Sequence, residues 1–153
     1  VNRLTEALVL GLGAFRFETH AVAERETAEI LPRLDARLAA RVQNERALEM
    51  WLEAHPHFEL AYLTDARGRQ IVDNVRRDER GLSRAPAGYG RDWAQRPWFR
   101  AAIARDGAGS TDLYRSTATG DFCFTVAAAL RAADGEPLGV FGADVNFRRL
   151  VES

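Results

Sequence analysis

Lysine is missing from this chain of 153 residues, and all 21 of its basic residues are arginine. Catalysis through a Schiff-base lysine and phosphate binding through a Walker lysine are therefore excluded. Any anion held by a side-chain cation must be held by an arginine, whose rigid fork suits carboxylates and phosphates. A GC-rich genome explains the bias as a whole, and it does not say which arginine is functional.

Cysteine is also scarce, and long hydrophobic runs are missing. Cys123 is the single cysteine, which excludes an intramolecular disulfide and a cysteine-rich zinc site, and we interpret it as a small buried residue. The longest apolar run, residues 8–15, is much shorter than the ~18–20 residues of a membrane span. No signal peptide is recognisable. We expect a soluble protein or a soluble part of something larger.

The remaining composition is that of an ordinary globular protein. Hydrophobic residues make up 46% and charged residues 28%, which excludes a disordered or fibrous chain. The net charge of -1, with acids and bases alternating over residues 24–46, gives no reason to expect a nucleic-acid partner. The length predicts a single domain over residues 1–153.

The first third of the chain, residues 1–55, has the apolar period of helices. Pro32 predicts a break near Leu31, Asn44 is a candidate N-cap for a shorter helix, and His55-Pro56 ends that helix. Two apolar stripes support this reading: Leu4, Leu8, Leu12 and Phe15, then Thr27, Leu31, Leu34, Leu38 and Val42.

From residue 56 onward the pattern predicts strands. We expect a hairpin over residues 58–75, a long loop over 76–95, a helix beginning at Pro97, and three strands at 111–115, 122–130 and 138–145. Asn146 is expected to cap a short terminal helix. Helices followed by a five-stranded antiparallel sheet make an α+β fold.

Several motifs of the second half resemble the Cache (PDC) sensor domains. They are Arg96-Pro97-Trp98-Phe99, a later Tyr114, the turn Asp134-Gly135, and the run from Gly139 to Val145. The resemblance covers about residues 56–151. It implies a single PAS-like lobe over 56–153, of the kind that binds ligands outside the cytoplasm for bacterial chemoreceptors, histidine kinases and diguanylate cyclases.

The resemblance also implies a ligand site. In amine-binding Cache domains, the motif arginine and tryptophan hold a carboxylate, which here are Arg96 and Trp98, while tyrosines and aspartates hold the ammonium group. Tyr114 matches one of those tyrosines, and Asp144 lies close to the terminal aspartate. Phe99, Ser116 and Arg91 depart from the pattern, so half of the ammonium cage is missing. We therefore expect a short organic acid rather than an amino acid.

The residue types support such a site independently. A carboxylate ligand needs a fixed cation, a few neutral donors and an apolar wall. Arg96 supplies the cation. The expected donors are Tyr114, Ser116 and Thr117, and the expected walls are Trp98, Phe122 and Phe124. Each residue also has a plainer interpretation: Arg96 as a surface charge, Trp98, Phe99 and Tyr114 as core, and Asp144 as a partner of backbone amides.

No metal or cofactor is expected. His55 and His57 lie two residues apart around a proline, and no acidic or cysteine partner follows them at a useful interval. The expected partners are a small-molecule ligand and a second copy that pairs through the N-terminal helices. Contact with a membrane is expected only through flanking segments outside this chain. The expected location is extracytoplasmic, with a cytoplasmic sensor as the alternative.

Two other functions stay open. One is an NTF2-like enzyme of the isomerase or dehydratase type, which needs an acid/base pair and offers Asp73, Asp92 or Asp144 for it. The other is a PAS-like module without a ligand that serves only dimerisation. We favour the sensor domain, which involves no catalysis.

Overall fold

The computed structural model describes residues 12–116 and 120–152, with side chains from residue 18 onward. Helix α1 spans Leu12–Ile30 and a 3-10 turn follows at Leu31–Arg33. The predicted break is confirmed, because Pro32 has no amide hydrogen for a continuing helix. The first predicted stripe falls on residues 1–11 and on side chains of 12–17, outside the described part.

Helix α2 spans Arg41–Ala54 and begins earlier than predicted, after a 3-10 turn at Leu38–Ala40. The N-cap expected at Asn44 is wrong, because Asn44 lies inside the first turn of this helix. Its buried amide instead accepts from the Asp35 backbone N–H (2.9 Å) and donates to the Asp35 carbonyl (2.6 Å). Asn44 thus fixes the chain that enters the helix rather than the helix end.

Seven strands form one antiparallel sheet in the described ranges, in the order β3-β2-β1-β7-β6-β4, with β5 also paired to β6. This confirms the α+β class but not the count of five. The strands are β1 (Phe58–Asp65), β2 (Asn74–Asp78), β3 (Gly81–Ala85), β4 (Gly109–Ser110), β5 (Tyr114–Arg115), β6 (Phe122–Arg131) and β7 (Pro137–Asn146).

The predicted loop over residues 76–95 contains the end of β2 and all of β3. These two strands lie on one side of the sheet, with β3 at its edge, and hold one buried residue between them, Val75. They therefore lack the hydrophobic alternation that marks a strand. The single strand predicted at 111–115 is likewise replaced by the short β4 and β5. The error therefore lies in weakly patterned strands at the sheet periphery.

Side-chain alternation gives the sheet two faces. On β7, Phe141 faces the two helices, where its ring meets the Trp51 ring of α2 at 5.2 Å. On β6, Phe124 faces the same side and stacks on His20 of α1 at 3.9 Å. The opposite face is covered by helix α3 (Pro97–Ala104), through a cluster of Phe99, Ala102, Ala127 and Val140. The helix α4 (Phe147–Glu152) follows β7 directly.

Trp51 joins α2, α1 and the sheet. Its side chain is 1% exposed, and its indole N–H donates to the backbone carbonyl of Glu26 in α1 (2.9 Å). We expect Trp51→Ala to lower the free energy of unfolding by about 3–5 kcal/mol, because it leaves a cavity in the core. Urea unfolding measures this change. Met50→Ala, at the exposed neighbouring position, should change it by less than ~0.5 kcal/mol; equal effects would contradict the packing described.

Candidate functional site

Helix α3 places Arg96 and Trp98 over the sheet. Pro97 occupies its first turn, where a missing amide hydrogen has no cost, and Arg96 is the extended residue before it. The Arg96 guanidinium is exposed and lies 5.7 Å from the centre of the Trp93 ring. The half-buried Trp98 contacts the Tyr62 ring at 5.4 Å and the Trp93 ring at 5.5 Å. Tyr62, Trp93 and Trp98 form what we call the aromatic trio.

The aromatic trio is held by β7 and by the side chain of Gln70. The Tyr62 ring lies across β7 at Gly142, where an added Cβ would come within 2.8 Å of it. Trp93 stacks on Tyr62 at 5.5 Å, and its indole N–H donates to the Gln70 side-chain oxygen (2.9 Å). The fully buried Gln70 donates in turn to the Val72 carbonyl (2.9 Å). These contacts make the trio a rigid wall.

A chain of polar groups runs beside the aromatic trio. Thr125 on β6 and Asp144 on β7 are cross-strand partners, and the Thr125 hydroxyl donates to Asp144 Oδ1 (2.9 Å). The Thr125 oxygen is then free to accept from the Tyr114 hydroxyl, 3.1 Å away. Two hydroxyl groups thus lead from the half-exposed Tyr114 to a partly buried carboxyl group.

The electrostatics of this polar chain are unusual. Burial raises the pKa of Asp144 to about 6; the Thr125 hydrogen bond works against this shift, and the nearby Glu59 charge adds to it. Burial, followed by the Asp144 charge, raises the pKa of both Tyr62 and Tyr114 far above its ordinary value. Both phenols therefore stay protonated, and Asp144 changes charge in the pH range just below neutrality.

A pocket of about 270 Å³ opens between α3 and the sheet next to Trp98 and Thr125. Its cation is Arg105, at the end of α3. The Arg105 guanidinium fills the place where any side chain at Gly109 would lie, so Gly109 must be glycine for this arrangement. The complete lining is Pro97, Trp98, Ala101, Arg105, Gly109, Ser110, Thr111, Thr125 and Ala127.

A larger groove of about 680 Å³ lies along β2 and α4, away from the aromatic trio. Five arginines and four acidic residues line it, so its charges largely compensate each other, and it has no aromatic wall. They are Glu59, Arg76, Arg77, Asp78, Glu79, Arg80, Asp121, Arg148 and Arg149. Since small-ligand sites combine an apolar wall with a few polar groups, we place the candidate site at the smaller pocket.

The structure brings four of the nine residues expected for the site to this face: Arg96, Trp98, Tyr114 and Asp144. Phe99 is in the core, 6% exposed, and does not face the pocket. Ser116 belongs to the turn before β6, where its backbone N–H donates to the Asp121 carbonyl (2.8 Å). Thr117 lies outside the described residues.

Phe122 and Phe124, expected as walls, do not line this pocket. Successive strand residues point to opposite faces, and Thr125 faces the pocket, so Phe124 must face the helices. Phe122, on the Phe124 side, is 48% exposed, with the Arg115 guanidinium 4.6 Å from its ring centre. The residues that the sequence analysis missed are Tyr62, Trp93, Arg105 and Thr125. Of these, Thr125 could have been found from the alternation along β6.

The acids proposed for an enzyme are not gathered in one cavity. Asp73 forms an ion pair with Arg41 (2.6 Å), and Asp92 accepts from the Ala94 backbone N–H in a turn. Only Asp144, of these three, lies beside the pocket.

The two histidines after α2 have an acidic partner that precedes them in the chain, whereas the sequence analysis considered only residues that follow them. Helix α1 brings Glu26 to them, with His55 Nδ1 and His57 Nε2 each 2.7 Å from one of its oxygens. Burial works to raise the pKa of Glu26, but the hydrogen bonds and charges of His57 and His55 outweigh it and lower that pKa. The partner precedes the histidines by 29 residues or more, so spacing along the chain could not reveal it.

This layered fold, with a helix over one sheet face and two helices on the other, has known counterparts. The family model described as "Methyl-accepting chemotaxis protein-like, first PDC sensor domain" matches residues 36–152. The chain belongs to this family. The resemblance to Cache (PDC) domains is thereby confirmed, and the chain is a sensor domain of the kind found in chemoreceptors and histidine kinases. Such domains are typically extracytoplasmic in receptors.

Solved structures share the fold at low sequence identity. The ligand-binding domain of the Campylobacter jejuni chemoreceptor Tlp3 has a TM-score of 0.58 at 16% identity, over 97% of this chain and 56% of that one. The Bacillus subtilis YkuI protein, with an EAL domain, has a TM-score of 0.66 at 18% identity, over 90% of this chain and 34% of that one.

A curated relative, the Citrate (Re)-synthase of Syntrophus aciditrophicus, is 28% identical over 108 residues. The match covers 71% of this chain but only 17% of that protein. The chain therefore spans a small part of its curated relative and one third to just over half of the two solved chains. Among the described residues, no helix is both long and apolar enough to cross a membrane.

The raised pKa of Asp144 predicts a pH-dependent stability. Because its pKa in the fold exceeds the ordinary 3.8, its protonation stabilises the fold. This contribution is complete below about pH 4 and is lost as the pH rises through about 6. Asp144→Asn keeps a neutral side chain at every pH. We expect it to be more stable than the original chain by on the order of 2–3 kcal/mol at pH 8, and nearly equal at pH 4.

Urea unfolding at the two pH values measures the difference. Asp106→Asn, at an exposed acid after α3, is the control and should leave the pH dependence unchanged. A stability difference for Asp144→Asn that is the same at pH 4 and pH 8 would contradict the burial described.

Proposed function

We propose that this domain is the ligand-binding input module of a bacterial signalling receptor and that it takes a small carboxylate-bearing ligand beside Trp98. The observation that carries the proposal is a pocket under α3 that combines a cation, an aromatic ring and a hydroxyl group, from Arg105, Trp98 and Thr125. Arg96 and the other two rings of the aromatic trio lie next to it, beside Trp98. Membership of a sensor family supports it. We propose no catalytic step, and we propose an extracytoplasmic location with membrane attachment through segments outside this chain.

The pocket supplies what such a ligand requires. Its volume, about 270 Å³, suits a molecule of a few carbon atoms better than a drug-sized one. Arg105, at the end of α3, lines the pocket, and Arg96, at the start of α3, lies outside it over the Trp93 ring. Each can offer a fork to a carboxylate. The Trp98 ring gives the apolar part of the ligand a surface, and Thr125 gives it a hydroxyl partner.

A short organic acid is favoured over an amino acid. Two of the three departures in the expected ammonium cage stay without a substitute, because Phe99 is in the core and Ser116 is in a turn. Asp144 remains as an acceptor, but it already takes the Thr125 hydroxyl. Binding of an amino acid has a precedent in this fold, since solved structures of the Tlp3 domain hold amino acids such as L-valine.

A bound ligand can act on the end of the domain through β7. Asp144 lies two residues before Asn146, whose side-chain oxygen accepts from the Arg149 backbone N–H (3.0 Å). This hydrogen bond confirms Asn146 as the cap of α4. A ligand that engages Thr125 or Asp144 would bias the position of β7 and thereby of α4, in the manner of a two-state receptor.

Pairing of two copies through the N-terminal helices stays a prediction. It is supported by three apolar side chains of the α2 region that are more than half exposed: Leu38, Val42 and Met50. Such exposed side chains in one region often mark an interface. Light scattering of the purified domain with and without ligand would measure the association.

The carboxylate site is tested by removing its cations. We expect Arg96→Ala to weaken binding of a C2–C4 carboxylate about 10- to 100-fold, as the loss of a charged hydrogen bond of about 1.5–3 kcal/mol predicts. Titration calorimetry after a thermal-shift screen measures it. Arg100→Ala, one turn further along α3 and exposed, is the matched control and should bind like the original.

Arg105→Ala separates the two ends of the helix. If only Arg105→Ala weakens binding, the ligand carboxylate is held on the pocket side of Trp98. If both variants bind the carboxylate as tightly as the original chain, the proposal that an arginine holds it is contradicted. A panel in which no carboxylate or amino acid raises the melting temperature would contradict ligand binding itself and favour the ligand-free dimerisation module.

The ligand class is tested with matched pairs such as lactate and alanine, which differ in a hydroxyl and an ammonium group. We expect the hydroxy acid to give the larger rise in melting temperature at pH 7.5, for want of a complete ammonium cage. A consistently larger rise with the amino acids would contradict the organic-acid assignment.

A further inference from the structure

Three metal-binding side chains converge on the helix side of the sheet, away from the pocket. Glu26 comes from α1, while His55 and His57 come from the segment between α2 and β1. One ligand atom from each of the three lies within 4.8 Å of the other two. We propose that Glu26, His55 and His57 form a site for a divalent transition metal of the zinc type, which fastens α1 to the start of the sheet.

The chemistry of the three side chains suits such an ion. Two imidazoles and one carboxylate are established zinc ligands, and a water molecule can complete a tetrahedron. Bonds of about 2.0–2.1 Å would place neighbouring ligand atoms roughly 3.3 Å apart. One Glu26 oxygen lies 2.7 Å from His55 Nδ1 and the other lies 2.7 Å from His57 Nε2. Each of these two pairs needs to separate by about 0.6 Å when an ion replaces the shared proton.

The ligands sit on well-supported backbone. The indole of the buried Trp51 donates to the backbone carbonyl of Glu26 itself, and this fixes the turn of α1 that carries the carboxylate. His55 is the C-cap residue that directly follows α2, and its backbone N–H donates to the Trp51 carbonyl (3.1 Å). The His57 carbonyl accepts from the Asn146 backbone N–H of β7 (2.8 Å). Ligands on such supported segments lose little freedom when an ion binds.

The surroundings of the two imidazoles differ. His55 Nε2 meets the Glu29 carboxylate at 2.9 Å, which is the outer partner that orients a metal-binding imidazole. His57 Nδ1 is buried and has no hydrogen-bond partner in the part of the chain that the structure describes. Coordination at Nε2 moves the ring proton to this atom. Loss of an outer partner weakens metal binding by about 10- to 100-fold, so we expect micromolar rather than nanomolar affinity.

An ion can reach the site from solvent. The side chains of Glu26, His55 and His57 are 18%, 13% and 8% exposed, which leaves one open side for a water ligand. The site is independent of the carboxylate pocket, because it lies on the other face of the sheet. Its existence therefore does not rest on the proposed ligand.

The test is a titration of the tag-free, metal-stripped chain with Zn²⁺, followed by calorimetry and by NMR of the imidazole signals. The chain has three histidines, which makes His20 an internal control. It lies on α1, nearly two turns before Glu26, and stacks on Phe124. We expect one ion per chain, with the signals of His55 and His57 shifting and that of His20 unchanged. No binding, or shifts of all three histidines alike, would overturn the proposal.

Variants identify the ligands. We expect Glu26→Gln and His55→Gln each to weaken Zn²⁺ binding at least 10-fold, and Glu29→Gln to weaken it less. Glu18→Gln, at an exposed acid of the same helix, should bind like the original. Binding of Glu26→Gln with unchanged affinity would overturn the site. Circular dichroism checks that each variant folds, and if one does not, the NMR titration of the original chain decides alone.

Discussion

The antiparallel pairing of β7 with β1 and β6 is the constraint on which the rest of this domain depends. Ten-residue strands that alternate strictly send Phe141, Ala143 and Val145 to the helices, and Gly142 and Asp144 to the opposite face. One register therefore sets both the hydrophobic core and the opposite face, where the β6 partners of Asp144 and Gly142, Thr125 and Ala127, line the pocket. A shift by one residue would exchange the two sets and bury the carboxyl group of Asp144 in the core.

The face under α3 combines a close backbone approach with buried polarity. Gly142 lets the Tyr62 ring rest on β7, and the stacked Trp93 and Trp98 extend that surface toward the Arg96 guanidinium. Beside it, the Tyr114 hydroxyl donates to the Thr125 hydroxyl, which in turn donates to Asp144. The pKa of Asp144, about 6, follows from its burial. A wall and a titratable carboxyl group thus meet where β7 approaches α4, so the proposed ligand site and the end of the domain share one strand.

Much of this fold could be predicted from local patterns. Pro32 indicated a helix break and Asn146 a helix cap. The hydrophobic period of the sequence indicated the long strands β1, β6 and β7. The Arg96-Pro97-Trp98-Phe99 motif pointed to the sensor family before any coordinates. Most of β2 and all of β3 could not be found in this way, because strands with so few buried residues carry no hydrophobic alternation. Asn44 was wrongly interpreted as an N-cap, because its side-chain amide bonds to the backbone of Asp35, which lies before the helix.

The sequence by itself determined the family, the α+β order and the absence of lysine chemistry. It also predicted four site residues that the structure places on the face under α3: Arg96, Trp98, Tyr114 and Asp144. Only the tertiary structure decided which side of the sheet each aromatic residue occupies. It places Phe99, Phe122 and Phe124 away from the pocket, and it packs Tyr62 and Trp93 against Trp98, which lines the pocket. It also decided that Glu26 meets His55 and His57 across 29 residues of chain. The reason is physical: spacing along a chain specifies neighbours within one helix or strand, whereas packing between elements brings together side chains that no local period connects.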